Sequence, residues 1–135
     1  MTAIFEDKVI VTTEKSKYET KITKGKHQWI ADEPADKEGT DLGPMPTELL
    51  ASSLGACTSI TIRMYADRKG YALDSVTVQV TIDKRSPEDH KFIREVELKG
   101  NLKPEERERL HSVANACPVH KILSGKIEIE TVLIN

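Results

Sequence analysis

Cysteine is nearly absent: Cys57 and Cys117 are the only two in 135 residues. With no basic, then apolar, leader in residues 1–11, no signal peptide is expected and a reducing cytosol is. There a disulfide would be catalytic or sensing, not a structural staple. Aromatic residues are also few, with one Trp, three Tyr and two Phe, so the core must be mostly aliphatic. Neither sign of charge dominates. A formal net charge of -2 offers no basic excess for nucleic acid or a membrane surface. The longest apolar stretch, residues 49–62, is broken by Ser52, Ser53, Thr58 and Ser59 and is too short to span a bilayer. Repeats and low-complexity runs are missing. So is arginine, from Met1 up to Arg63.

What remains fits one domain over residues 1–135, long enough to bury a core. Residues 8–13, 18–23 and 27–31 predict a three-stranded meander, with Gly25 in the second turn. Residues 32–43 are acidic, hold Pro34 and Gly39 and show no period; a solvated connection or a lid over a site is expected. Residues 46–68 then predict a long helix. Pro46 suits its first position, Glu48 its positive end and Gly70 its stop. Its many small residues would let another backbone approach, so it is expected to be central and buried.

Val76, Val78, Val80 and Ile82 alternate with polar residues, the period of a half-buried strand. Its hairpin partner is expected over residues 91–102, with Phe92, Val96, Leu98 and Leu102 on one face and Arg94 on the same side. Such an arginine either snorkels at an edge or aims its charge at a buried thiolate. Pro104 opens a second helix whose stripe is Leu110, Val113, Ala114 and Cys117. Pro118 ends it and begins a short third helix. Residues 126–134 predict a last strand. The order βββ-α-ββ-αα-β argues an α+β fold. A meander too thin to cover the central helix alone argues a homodimer.

Each cysteine leaves two readings open. Cys57 lies mid-helix among apolar residues, where a free thiol is usually a small hydrophobe with a raised pKa. Cys117 precedes a proline-started turn, where free N–H groups lower a thiol pKa. As a pair they can do short chemistry. One thiolate opens a peroxide O–O bond and becomes a sulfenic acid; the other condenses with it to a disulfide; an outside dithiol restores both. No metal or other cofactor is needed. Cys117 and His120 could also pair as nucleophile and base, or begin a zinc site with Cys57 or His111, though no fourth ligand can be placed.

The run Pro46-Thr47-Glu48-Leu49-Leu50-Ala51, leading into Ala56-Cys57, is followed sixty residues later by Cys117-Pro118-Val119. Together these motifs resemble the OsmC/Ohr family of thiol peroxidases over most of the chain. The resemblance implies an intertwined dimer, with two sheets wrapped around paired central helices and residues 1–45 contributing to it. It implies Cys57 as the peroxidatic residue, Cys117 as the resolving one, and Glu48 as the motif carboxylate serving a partner's cysteine. It further implies organic hydroperoxides as substrates, a dithiol reductant such as a lipoyl group, and a role in oxidative-stress defence. In the family an arginine from the N-terminal strands ionises the thiol. Here Lys15 or Lys17 falls nearest that place, and Arg94 is the other candidate cation. The missing arginine leaves an alternative: a weakly active member that binds an apolar or electrophilic small molecule at the dimer interface. A redox sensor handing its disulfide to a protein is a third expectation.

Overall fold

A computed structural model describes all 135 residues. The chain falls into two compact units, Met1–Leu50 and Ala51–Asn135.

The first unit holds an antiparallel meander. Strands β1 (Ile10–Thr13), β2 (Thr20–Lys24) and β3 (His27–Ala31) lie in the order β1-β2-β3. β1 is exposed along its whole length. The acidic connection that follows is not a loosely solvated chain. Asp32 is 2% exposed. Its carboxylate accepts the Thr40 hydroxyl at 2.6 Å and the backbone N–H of Leu42 at 3.1 Å and of Glu33 at 2.7 Å. A buried charge of this kind needs such donors. The Thr40 hydroxyl bond chiefly holds the carboxyl below its ordinary 3.8, against the opposing pull of desolvation. One loop is therefore tied around one side chain.

Helix α1 (Pro46–Lys69) begins in this unit and continues into the second. At its start, Glu48 Oε1 accepts the Met45 N–H at 2.8 Å. At its end Gly70 takes φ +70°, and Tyr71 N–H returns to Ala66 O at 2.9 Å. This is the left-handed stop expected of a glycine there.

In the second unit, β4 (Leu73–Ser86) and β5 (Asp89–Gly100) form an antiparallel hairpin. α2 (Pro104–Val113) follows, then a 3₁₀ turn over Ala114–Ala116 and α3 (Pro118–Ser124). Ile62, Ala66, Leu73, Leu110, Val113 and Ala114 form the core. On α1 the buried stripe is Leu54, Thr58, Ile62 and Ala66, about one residue per turn on one face, with Gly55 beside Leu54. A Cβ at Gly55 would meet Val80 Cγ2 at 3.3 Å, so this glycine sets how closely β4 approaches the helix.

Two expectations need correction. Within one chain α1 is not buried all round: Leu50, Ile60 and Met64 stay exposed. The last strand does not form either. Residues 126–135 take no regular structure, and Ile129, Leu133 and Ile134 are almost fully exposed. A strand needs a neighbour for its N–H and C=O groups, and this segment has none in its own chain. The α+β class and the rest of the element order hold.

Candidate active site

Strand parity delivers Arg94 to the site. Val80 faces α1 at Gly55, and Arg94 is its cross-strand partner in the hairpin. Opposite residues of a ladder share a face, so Arg94 also reaches toward α1. Its Nη1 donates to Thr58 Oγ1 at 3.0 Å and to Ala114 O at 3.0 Å. Its Nη2 donates to Asn115 Oδ1 at 3.1 Å and pairs with His120 Nδ1 at 2.8 Å. One guanidinium thus ties α1, β5, the 3₁₀ turn and α3 together.

A guanidinium only donates, so His120 Nδ1 is the acceptor and the neutral ring carries its proton on Nε2. In this arrangement the imidazole is a hydrogen-bond donor at its outer edge. A cavity of about 170 Å³ lies beside it, lined by Leu54, Phe92, Arg94, His120, Leu123 and Ser124.

Pro118 shapes the second half of the site. The residue before a proline is driven out of the helical region, and Cys117 sits at φ -61°, ψ 126°. α2 therefore cannot run on, and Cys117 becomes the cap of α3. Its Sγ accepts the His120 N–H at 3.4 Å. The side chain is fully buried, whereas Cys57 is half-buried. Both thiols are free, and each shifts the other's ionisation.

The two sulfurs are shifted in opposite directions. Burial pushes the Cys57 thiol up, and its bond to Cys117 pushes it further; the Val119 N–H and the Thr61 hydroxyl pull the other way and lose. Burial also pushes Cys117 up. There the Cys57 thiol, the His120 N–H, the Thr58 hydroxyl and the Val119 N–H outweigh it and hold Cys117 below an ordinary thiol.

Among the expected site residues, the structure brings together Cys57, Cys117, Arg94 and His120. Glu48 and Lys17 belong to the first unit. Glu48 caps α1 there, and Lys17 sits in the β1–β2 turn at φ +55° with its N–H on Lys15 O at 2.9 Å. Thr58 and Asn115 were not legible as site residues. The one available signal was a threonine standing next to Cys57 on the buried stripe of α1. No three His, Cys, Asp or Glu side chains converge where a metal ion could sit.

The family model for OsmC-like protein matches residues 39–132. The chain belongs to the OsmC family. The fold of this OsmC-like chain recurs in solved structures at low identity. An OsmC-like protein from Mycoplasma pneumoniae superposes with a TM-score of 0.76 at 19% identity, covering 91% of this chain and 90% of that one. An organic hydroperoxide resistance protein from Legionella pneumophila gives 0.66 at 21%, with 92% and 93% covered. The organic hydroperoxide resistance protein OhrB of Bacillus subtilis gives 0.62 at 22%, with 91% and 93% covered. No protein of curated function matches the chain. No helix is long and apolar enough to cross a membrane.

Proposed function

We propose that this OsmC-like protein is a thiol-dependent peroxidase of the cytosol that reduces organic hydroperoxides. Cys57 takes the terminal peroxide oxygen and becomes a sulfenic acid; Cys117 resolves it to a disulfide; a dithiol, for which a lipoyl group is the candidate, restores both thiols. The observation that carries this reading is a pair of free thiols placed where each shifts the other's ionisation. Two cysteines sixty residues apart lie in one unit, one half-buried and the other buried with the His120 N–H on its sulfur. Organic hydroperoxides are favoured over hydrogen peroxide because Leu54, Phe92 and Leu123 line the neighbouring cavity. The working form is a homodimer, whose second copy covers the exposed Leu50, Ile60 and Met64 of α1. Glu48 serves the partner's cysteine, and Lys17 is the remaining candidate cation of the first unit.

Turnover tests this reading. Cumene hydroperoxide with dihydrolipoamide should be consumed by the wild type and not by Cys57→Ser. Equal rates in the two proteins would refute it. The cavity beside His120 also favours a second reading, a binder of small apolar molecules bearing an acceptor oxygen. Such a protein would keep its ligand in Cys57→Ser and show no turnover at all.

A further inference from the structure

Arg94 is a half-buried cation without a counter-ion. Arg63 and Arg85 each pair with an aspartate, whereas no carboxylate pairs with Arg94. Its bonds end on a hydroxyl, a backbone carbonyl, an amide oxygen and an imidazole nitrogen, all of them neutral. A charge drawn partly out of water is better held with an opposite charge beside it. A guanidinium has five N–H groups. The bonds of Nη1 and Nη2 use both hydrogens on each, so Nε–H is the donor left without an acceptor in the protein. Nε2–H of His120, the tautomer that Arg94 itself fixes, is a second.

Both side chains line the cavity of about 170 Å³, and no acid does. The rest of its wall is Leu54, Phe92, Leu123 and Ser124, and the Ser124 hydroxyl is spent on His120 O at 2.8 Å. The cavity therefore offers one uncompensated positive charge, two side chains with an open donor and three apolar surfaces. An apolar cavity of about 150 Å³ holds a benzene ring, so a single ring or a short branched chain suits this one.

We propose that this cavity binds a small apolar monocarboxylate, an aromatic or branched-chain acid, with its carboxylate on Arg94 and His120 and its hydrocarbon against Leu54, Phe92 and Leu123. This rests on the binding reading of that cavity, names its ligand class and asks nothing of either cysteine. The missing counter-ion favours an anion over a neutral carbonyl compound, because the bound carboxylate supplies the charge that the protein does not. The apolar walls favour a carboxylic acid over an inorganic anion, which would be stripped of water beside Leu54, Phe92 and Leu123 with nothing gained there. Ligand binding here also bears on the fold, since Arg94 already joins α1, β5, the 3₁₀ turn and α3. A ligand held only by the folded chain raises its stability.

Calorimetric titration of the whole chain with benzoate and with benzamide, its uncharged counterpart of the same shape, tests the assignment. Benzoate should bind saturably and shift the nitrogen-15 resonance of His120 Nε2. Benzamide should bind about tenfold more weakly, the difference between a charged and a neutral hydrogen bond. Equimolar inorganic phosphate should not displace benzoate. Arg94→Gln should reduce the affinity for benzoate to that for benzamide. Leu123→Phe fills the cavity and leaves both donors in place, so it should abolish binding even if Arg94→Gln folds poorly. Benzamide bound as tightly as benzoate would overturn the carboxylate assignment and leave the binding reading standing; saturable binding of neither would overturn both. Displacement by equimolar phosphate, or benzoate held as well by Leu123→Phe as by wild type, would also overturn the proposal.

Discussion

Nη2 of Arg94 lies 2.8 Å from Nδ1 of His120, and that contact fixes which ring nitrogen carries a proton. Nitrogen-15 spectra should therefore show His120 as the Nε2–H form at neutral pH. Arg94→Ala should release it to a mixture of tautomers. A His120 that is Nδ1-protonated in the wild type would contradict the hydrogen bond.

Arg94 also carries stability. Removing it strips the charged partner from Thr58, Ala114 O and Asn115. Bonds to charged groups contribute roughly 1.5–3 kcal/mol each, and partial exposure discounts them. Arg94→Ala should lower the unfolding free energy by about 2 kcal/mol in urea titrations, with Arg94→Lys in between. An Arg94→Ala protein as stable as wild type would show that water replaces the guanidinium without cost.

The aliphatic core predicts a larger effect. Ile62 and Leu110 are both fully buried. Truncating either to alanine leaves a cavity and should cost roughly 2–5 kcal/mol. Gly55 is the opposite case. Gly55→Ala gains about 1 kcal/mol of helix propensity but presses on Val80 at 3.3 Å, so it should be close to neutral. Gly55→Leu should cost about 1–3 kcal/mol through overpacking.

Asp32 gives a pH dependence with a definite sign. Its folded pKa is depressed, chiefly by the Thr40 hydroxyl, below the ordinary 3.8. Its stabilising contribution is therefore complete above about that pH and is lost as pH falls through the lower folded value. Stability measured from neutral pH downward should be flat in this respect and then decline below 3.8. The amide resonances of Leu42 and Thr40 should move over the same window. Asp32→Asn should be less stable at neutral pH and should lose that part of the slope.

The strands and helices were readable where periodicity alone decides. The alternation of Val76, Val78, Val80 and Ile82 placed β4, and Pro46 and Gly70 bounded α1 to within a residue. Leu110, Val113, Ala114 and Cys117 are all buried, as their helical spacing requires. Parity put Arg94 on the apolar face of β5, but its partners depend on how α1 is rotated to present Thr58, which spacing does not encode. The bonds around Asp32 were hidden for a similar reason. A carboxylate held by its own loop has no periodic signature and looks like one more acid in a polar connection. Residues 126–134 read as a strand from their apolar residues, without one strict parity, but pairing is a property of two segments and this one pairs with no other in its own chain.

The proposed second copy can be tested apart from chemistry. Ile60 and Met64 lie four residues apart on α1 and are 52% and 56% exposed, on adjacent turns of one helix face. Sedimentation should give a dimer for the wild type, and Ile60→Glu with Met64→Glu should shift it to monomer while keeping its circular dichroism. A monomeric wild type would show that no second copy covers this face of α1.

If the proposed function holds, Cys57 and Cys117 form a working peroxide-reducing pair. Reduced protein should be mixed with one equivalent of cumene hydroperoxide, quenched within seconds and analysed by mass spectrometry. The expected product is a Cys57–Cys117 disulfide with a matching amount of alcohol, and a stable oxidised Cys57 in Cys117→Ser. Two free thiols after minutes of exposure would contradict it.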